Sequence, residues 1–249
     1  MRSLIDFGYT GPWIYGHLVV VGAASALFAL AWWRRWHWLS RLALGGVAIW
    51  AIAAFLVVQT VFRYNGLPTI PTSAFLSSGA ARVLDLGAGS GRSTIMVLLE
   101  RPKTTVVALD DFSATYIRDH GPEKLKANLR AAGVDGRAEV VSADMRKLPF
   151  ENATFDALVS TYAIDHLPPG DIPGALAEAA RVVRPGGEFL LEVMYPDAWM
   201  KFAYGPVMMH GANAGRIRAR WPSMLEAAGF RVVEQGTAPA TFYVRAVRR

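Results

Sequence analysis

Residues 83–94 read VLDLGAGSGRST, a short apolar run followed at once by glycines at alternating positions. Residues 83–86 predict a buried β-strand, and residues 93–100 predict the helix that follows it. The three glycines between them let the backbone turn tightly and approach a ligand with no Cβ in the way. The helix directs its first N–H groups to the same place. The stretch therefore predicts an α/β fold that binds a ligand at this turn.

The rest of the chain from Arg82 onward continues the same alternation of short β-rich runs and amphipathic helical segments. Such alternation predicts a mostly parallel sheet covered on both faces, with ligands at the carboxyl ends of the strands. The further predicted strands are residues 105–109, 138–142, 157–160, 188–193, 231–234 and 242–247. The further predicted helices are residues 122–132, 172–183 and 216–228.

Carboxylates accompany three of the predicted strands. Asp85 lies two residues before Gly87, Asp110 ends the second strand, and Asp144 follows the third strand. A carboxylate at the end of the second strand can accept hydrogen bonds from both hydroxyls of a ribose. The adjacent Asp111 is an alternative for that position, but Asp110 ends the apolar strand directly and is preferred.

These motifs, together with FDALVSTYAIDHL (residues 155–167) and ARVVRPGGEFLLEV (residues 180–193), occur in a fixed order. A lone glycine loop also occurs in nicotinamide-binding folds, so the family resemblance depends on all of these motifs occurring together. It resembles the class I S-adenosylmethionine-dependent methyltransferases, in particular the branch that includes the ubiquinone and menaquinone C-methyltransferases. The resemblance is strong over about residues 82–193 and looser to residue 249. It implies a Rossmann-like seven-stranded sheet with an antiparallel last strand, S-adenosylmethionine as cofactor, and methyl transfer as activity.

The resemblance also implies roles for residues at the turn and the strand ends. The glycines line the methionine part of the cofactor, Asp85 orients its amino group indirectly, and Asp110 holds the ribose. Asp144 and the Met145 backbone read the adenine, and Thr161, with Ser160, borders the sulfonium. The predicted cofactor-binding residues are Asp85, Gly87, Ala88, Gly89, Gly91, Asp110, Asp111, Asp144, Met145 and Thr161.

Asp165 and His166 follow the fourth predicted strand and are the predicted catalytic residues. They face the expected methyl group, and either could serve as a general base if the acceptor carries a proton. The alternative for His166 is a loop residue hydrogen-bonded to the backbone. Further candidates after the fifth strand are Tyr195, Asp197 and His210. The chain has no cysteine, which excludes disulfides, thiolate metal sites and thiol nucleophiles, including the cytosine-5 mechanism.

The N-terminal third contains two runs without a charged residue, about 12–33 and 42–62. Each measures roughly 32 Å as a helix, which matches the hydrocarbon thickness of a bilayer. They predict two transmembrane helices, with one span plus a buried or interfacial helix as the alternative. Between them, WWRRWHWLSR (residues 32–41) is interpreted as the hairpin turn, with tryptophans at the headgroup level and arginines near lipid phosphates.

The expected organisation is a membrane hairpin at 1–64, a linker covering the site at 65–81, and the methyltransferase domain at 82–249. The residues adjoining the fifth strand, 195–215, are expected to enclose substrate together with the linker; the alternative for residues 195–211 is a helix packed on the core. The expected activity is methyl transfer to a small lipophilic acceptor: a lipid amine, a quinone precursor, or a hydrophobic phenol or thiol. Two alternatives stay open. One is a soluble acceptor, with the hairpin used only for localisation or oligomerisation. The other is a non-catalytic membrane scaffold.

The expected partners are the lipid bilayer, the acceptor and possible further copies of the chain through the membrane helices. Residues 82–249 carry 21 basic and 19 acidic side chains, so no phosphate-tracking groove for nucleic acid is expected. S-adenosylmethionine is cytosolic, which predicts a cytoplasmic catalytic domain. Arg34, Arg35 and Arg41 in the predicted turn favour the opposite orientation by the positive-inside rule. The requirement for cofactor is given priority over this charge bias.

Overall fold

The structure is a computed structural model of the 249-residue chain and describes residues 5–77, 79–208 and 214–249. The candidate His210 therefore lies outside the described residues. The element order begins with two helices and continues as alternating strands and helices. The helices are α1 (Pro12–Trp33), α2 (Trp38–Val57), α3 (Arg92–Glu100), α4 (Pro122–Ala132), α5 (Ile172–Val182), α6 (Ala198–Met208) and α7 (Ala214–Ala227). The strands are β1 (Arg82–Leu86), β2 (Thr105–Asp110), β3 (Ala138–Ser142), β4 (Phe155–Thr161), β5 (Val183–Met194), β6 (Phe230–Ala238) and β7 (Thr241–Arg248).

One seven-stranded sheet has the order β3-β2-β1-β4-β5-β7-β6. Strands β1 to β5 pair in parallel, whereas β7 pairs antiparallel with both β5 and β6. The strand order reverses at β1, because β2 and β4 flank it. The carboxyl ends of β1, β2 and β4 therefore meet at the place where open α/β sheets bind ligands. The predicted seven-stranded Rossmann-like sheet is confirmed.

Two apolar layers cover the faces of the sheet. On one face, Leu84, Phe189 and Phe242 pack with α5 and α7, and their side chains are almost fully buried. On the other face, the α3 residues Ile95 and Val97 pack on alternate residues of the central strands. This two-sided burial explains why the parallel strands are apolar throughout rather than alternating.

One element differs from the prediction, and for another the structure selects between two alternatives. The second apolar helix begins at Trp38 and not at residue 42, because the His37 ring accepts a hydrogen bond from the Leu39 N–H and caps it. The predicted position of Arg41 in the turn is therefore wrong: it lies in the first turn of α2, and its guanidinium lies 4.9 Å from the centre of the Trp32 ring. In addition, α6 forms in the segment for which the sequence left open a pocket wall or a helix packed on the core, so the helical alternative is the one observed.

Helices α1 and α2 pack against each other as an antiparallel hairpin, and α2 continues in a π-helical turn (Val58–Phe62). Small residues such as Ala31, Ala51 and Ala54 are fully buried. Large apolar residues are exposed, and Val19 and Ile49 retain 73% and 70% of their accessible surface. By length and composition, the helices are long and apolar enough to cross a membrane.

The residues that precede the hairpin are attached to the catalytic fold. Phe7 is fully buried in the core on the α3 side of the sheet. Asp6 accepts hydrogen bonds from Arg118 and Lys124, at 2.7 and 3.1 Å, and its backbone bonds the Asn128 side chain in α4. After the hairpin, Arg92 of α3 donates to the Gly66 carbonyl at 3.1 Å, so the hairpin is held to the sheet domain from both of its ends.

Candidate active site

The glycine turn is pinned to the neighbouring strand. The N–H groups of Gly87 and Ala88 both donate to the Leu109 carbonyl, at 2.9 and 3.0 Å. Gly87 has φ +81°, and a Cβ there would lie 2.2 Å from Cβ of Ala163 in the loop after β4. The glycine therefore allows two loops at the carboxyl edge of the sheet to pack in direct contact.

A cavity of about 400 Å³ lies beside this turn, within the range typical of small-molecule sites. Among the predicted residues, the cavity is lined by Gly87, Ala88, Gly89, Asp110, Asp111, Met145, Thr161 and His166. The residues that the sequence analysis did not single out are Tyr9, Arg92, Ser93, Ser113, Ala114, Thr115, Tyr116, Ile117, His120, Tyr162, Ala163 and Leu167. The lining combines one carboxylate-bearing strand end with aromatic and aliphatic walls, as binding of a nucleoside requires.

Asp110 is the best-placed carboxylate in the cavity. Its two oxygens accept N–H bonds from Gly89 at 2.8 Å and Phe112 at 2.6 Å, which fixes the side chain. Each carboxylate oxygen can accept a further bond, so a ribose diol can be accommodated. Asp111 also lines the cavity, but its carboxylate is exposed and bonds the N–H and hydroxyl of Ser113. The geometry therefore favours Asp110 as the ribose ligand.

Asp85 is fully buried and does not line the cavity. Its carboxylate accepts the hydroxyls of Ser93 and Thr94 at 2.7 and 2.6 Å, which ties β1 to the first turn of α3. Burial raises its pKa to about 6. Any effect of Asp85 on a ligand passes through the glycine turn that it holds in place.

Gly91 and Asp144 also lie outside the cavity lining. At Gly91, with φ +95°, a Cβ would lie 2.5 Å from a Leu125 methyl, so its role is to let α4 pack on the turn. The Asp144 carboxylate pairs with Arg146 at 2.8 Å, which lowers the pKa of Asp144. Of the pair predicted to contact the adenine, only Met145 lines the cavity.

His166 and Asp165 lie in a single helical turn after β4 (Ile164–His166). His166 lines the cavity and stacks on Tyr116, with ring centroids 6.0 Å apart. Its Nδ1 lies 3.3 Å from Asp165, and this carboxylate raises the pKa of His166. Asp165 itself is largely buried, accepts the Met194 N–H, and does not line the cavity. Of the two, only His166 reaches the cavity, and Asp165 lies behind it, paired with its ring.

Three of the remaining candidates make structural contacts instead. Ser160 is buried and donates to the Leu86 carbonyl at 2.9 Å. The Tyr195 hydroxyl accepts from Arg218 at 2.7 Å. Asp197 accepts N–H bonds from Met200 and Ala240, at 2.7 and 2.9 Å. Asp197 therefore caps α6 and joins it to the β6–β7 turn.

Two of the site residues that the sequence analysis missed, Tyr9 and Arg92, also contact the segment that follows the hairpin. Tyr9 precedes α1, and its backbone forms two hydrogen bonds with the Asn65 side chain, at 3.2 and 2.8 Å. Arg92 follows the glycine turn and donates to the Gly66 carbonyl at 3.1 Å. Arg92 could have been proposed from a local pattern, because it adjoins Gly91 directly. No spacing in the chain connects Tyr9 with the turn.

Comparison with known proteins agrees with this geometry. The family model described as a methyltransferase domain matches residues 83–187. A ubiquinone/menaquinone biosynthesis C-methyltransferase UbiE from Desulfotalea psychrophila is 30% identical over 135 residues, 51% of this chain and 50% of the relative. A sterol 4-C-methyltransferase from Caenorhabditis elegans is 32% identical over 108 residues, 43% of this chain and 29% of the relative. The chain therefore spans half or less of the length of these curated relatives.

The fold is also found among solved structures. The S-adenosylmethionine-dependent methyltransferase SibL in its apo form superposes with a TM-score of 0.58 at 20% identity, covering 83% of this chain and 58% of that one. The sheet order, the pinned glycine turn and the strand-end carboxylate occur together with these matches. Fold, motif order and relatives agree that residues 83–187 form a methyltransferase domain similar to the class I S-adenosylmethionine-dependent methyltransferases, and this similarity implies S-adenosylmethionine as the cofactor.

Proposed function

We propose that the protein is a membrane-anchored methyltransferase that acts on a small lipophilic acceptor, such as a lipid amine, a quinone precursor, or a hydrophobic phenol or thiol. The observation that carries the proposal is the position of the cavity at the base of the hairpin. Tyr9 lines the cavity and bonds Asn65, and these residues flank the two span-length helices. Relatives whose names specify sterols and quinone precursors support the same class of acceptor.

In this proposal, the cofactor lies along the carboxyl edge of the sheet. Asp110 accepts the ribose hydroxyls, the turn with Gly87 and Gly89 contacts the methionine part, and Met145 packs on the adenine. Bound S-adenosylmethionine supplies an electrophilic methyl group. The walls align the acceptor with that methyl and exclude water, and orientation alone can supply several kcal/mol.

His166 is proposed as the group that takes the acceptor's proton. An oxygen or nitrogen acceptor that reaches the cavity protonated must lose that proton, and His166 is the titratable ring at the cavity wall next to the fourth strand. Asp165 holds the ring and stabilises its protonated form. An acceptor that needs no deprotonation would leave this pair without a catalytic role.

The membrane arrangement is likewise a proposal. Two spans with a cytoplasmic catalytic domain place the turn at 34–37 on the opposite side, against the charge bias of Arg34 and Arg35. Arg63 at the domain end of the hairpin offsets part of that bias. Reporter fusions after residue 36 and at the C-terminus test the orientation, and a C-terminus outside the cytoplasm would contradict it.

The test of activity is transfer of a labelled methyl group by the full chain in lipid nanodiscs, with membrane lipid extracts and quinone precursors as acceptors. Asp110→Asn is expected to lose about 10- to 100-fold in cofactor affinity, since a charge-assisted hydrogen bond contributes about 1.5–3 kcal/mol. The matched variant Asp111→Asn should bind the cofactor with an affinity close to that of the wild type.

Three outcomes would overturn parts of the proposal. Labelling of water-soluble acceptors only would favour a soluble substrate. Cofactor binding without any transfer, or no binding by calorimetry, would favour a scaffold. Equal loss in both aspartate variants would contradict the assignment of Asp110 to the ribose.

A further inference from the structure

We propose that α6 is a third membrane element, a helix embedded in the leaflet on the domain side, whose outer face contacts lipid. This inference rests on the proposed insertion of the hairpin, but not on methyl transfer. It assigns a lipid-contacting surface to the catalytic domain itself, beyond the two span-length helices.

Helix α6 is fastened to the hairpin by three hydrogen bonds. His17 Nε2 donates to the Ala203 carbonyl at 2.8 Å, and Trp50 Nε1 donates to the Phe202 carbonyl at 3.1 Å. In the opposite direction, the Tyr204 hydroxyl donates to the Trp13 carbonyl at 2.6 Å. These bonds connect α6 to both α1 and α2, so its position relative to the hairpin is fixed.

An apolar cluster reinforces the attachment. Met200, Ala203 and Tyr204 of α6 are buried against α1 and the last turns of α2. The inward face of α6 is therefore fully used by the hairpin. The depth of α6 in the membrane is therefore set by the depth of the part of the hairpin that it contacts.

The depth of that part follows from the turn. Arg34 and Arg35 in the turn cannot remain at the bilayer centre without a large cost, so an inserted hairpin must cross completely. Crossing requires ~30 Å, or ~20 helical residues. Counted from the turn, 20 residues of each helix place the domain-side boundary of the hydrocarbon near Trp13 and Val57.

Of the three hairpin residues that bond α6, Trp13 lies at this boundary, and His17 and Trp50 lie inside it. His17 is ~6 Å and Trp50 ~10 Å along the helix from it, at 1.5 Å per residue. A tilt of ~20° shortens these depths by less than a tenth. Helix α6 therefore lies between the boundary and ~10 Å below it, a range that includes the ~5–10 Å at which interfacial amphipathic helices are buried.

The outward face of α6 has the side chains that this depth requires. Trp199 and Phe202 retain 48% and 40% of their accessible surface, although the inward face is already buried. Lys201 between them is exposed, and its long side chain can extend to the headgroups. Both faces of α6 are thus apolar around one flexible cation, which fits lipid and not water as the outer contact.

The consequence for the site is that its mouth lies at the membrane surface. Helix α6 follows β5 directly, and Asp197 joins its first turn to the β6–β7 turn. An acceptor dissolved in the leaflet can then reach the carboxyl edge of the sheet along α6.

The test uses single introduced cysteines, because the natural chain has none. Phe202→Cys is labelled with an environment-sensitive fluorophore, and the full chain is reconstituted into vesicles with and without brominated lipid. Ile49→Cys, 70% exposed on α2, is the positive control. Leu99→Cys is the matched exposed apolar control, because the last turn of α3 lies at the opposite edge of the sheet.

Phe202→Cys and Ile49→Cys are expected to emit at short wavelength and to lose more than half of their emission to brominated lipid, whereas Leu99→Cys is not quenched. Quenching at residue 49 without quenching at residue 202 would overturn the position of α6 alone. Absence of quenching at both would overturn it together with hairpin insertion. Methyl transfer, measured separately, is independent of either result.

Discussion

Asp85 is a carboxylate buried from solvent, and this burial determines its pKa and its effect on the stability of the fold. Two hydroxyls bond one oxygen, while the other has no hydrogen-bond partner within the described part of the chain. Its folded-state pKa of about 6 lies above the ordinary value of 3.8. The folded state therefore favours the protonated form, and the resulting stability is present below pH ~4 and lost as pH rises through about 6.

We expect Asp85→Asn to flatten the dependence of stability on pH. Between pH 4 and pH 7 the wild type should lose roughly 2 kcal/mol more unfolding free energy than the variant, since one pKa unit corresponds to about 1.4 kcal/mol and part of the effect is already lost at pH 4. Burial also raises the pKa of Glu192, to about 7, but that group is present in both proteins and largely cancels in the difference. The measurement is denaturant unfolding in micelles at several pH values, and parallel curves would contradict the assignment.

The pairing of His166 with Asp165 predicts a pH profile. A proton acceptor must be neutral, and the carboxylate raises the pKa of the imidazole, so activity should fall as pH decreases through a value above the ordinary 6.5. In Asp165→Asn this acid limb should move to lower pH, and in His166→Gln it should disappear with a loss of about 10²- to 10⁴-fold. The measurement is kcat/KM against pH. An unmoved limb in Asp165→Asn would show that Asp165 only stabilises the loop.

At the scale of the element, the glycine turn is a packing device as well as a ligand site. Gly91→Ala places a Cβ 2.5 Å from Leu125 at φ +95°, whereas Gly133→Ala, at φ +71°, meets nothing within 4 Å. Both variants strain the backbone, by about 1–2 kcal/mol, but only Gly91→Ala also displaces α4. We expect Gly91→Ala to lose more unfolding free energy, by about 1–3 kcal/mol, and to weaken cofactor binding. Equal thermal shifts in the two variants would rule out the packing role.

The elements themselves were largely predictable, because the buried parallel strands are apolar runs bounded by turns. The start of α2 was not predictable in this way. The charge-free run begins at residue 42, whereas the helix begins at Trp38, where His37 caps it. For the segment of α6, a helix packed on the core and an apolar pocket wall both stayed open, because its apolar residues face both the hairpin and the outside. An amphipathic pattern requires one polar face, and α6 has no such face because the exposed Trp199 and Phe202 are apolar.

At the scale of the whole molecule, the predictable parts of the site are the residues at or just after the ends of the strands. Gly87, Asp110 and His166 each follow a strand, so the topology brings them to one edge. Tyr9 and Tyr116 are brought there by packing between distant segments, a contact that no periodicity encodes. The same packing makes residues 5–9 part of the catalytic fold, even though the hairpin separates them from it in sequence.

This arrangement permits the hairpin to be removed without removing Phe7 and Tyr9. The bonds between Tyr9 and Asn65 show that the two ends of the hairpin are adjacent, so a flexible linker of about six residues can join Gly11 to Arg63. In micelles, where detergent covers the exposed face of α6, we expect this variant to bind S-adenosylmethionine within about threefold of the full chain. Deletion of residues 1–64 should instead lose cofactor affinity and stability, since it removes a fully buried phenylalanine.

The decisive comparison is the same acceptor presented in vesicles and in mixed micelles. Anchoring raises the effective concentration of a bilayer-dissolved acceptor. The rate of methyl transfer by the variant with the linker in place of the hairpin should therefore fall by about 10²-fold or more in vesicles, and by much less in micelles. Initial rates of labelled-methyl transfer measure both. If the variant methylates the vesicle-bound acceptor as fast as the full chain, the hairpin serves only localisation or oligomerisation, and delivery of the acceptor from the bilayer is rejected.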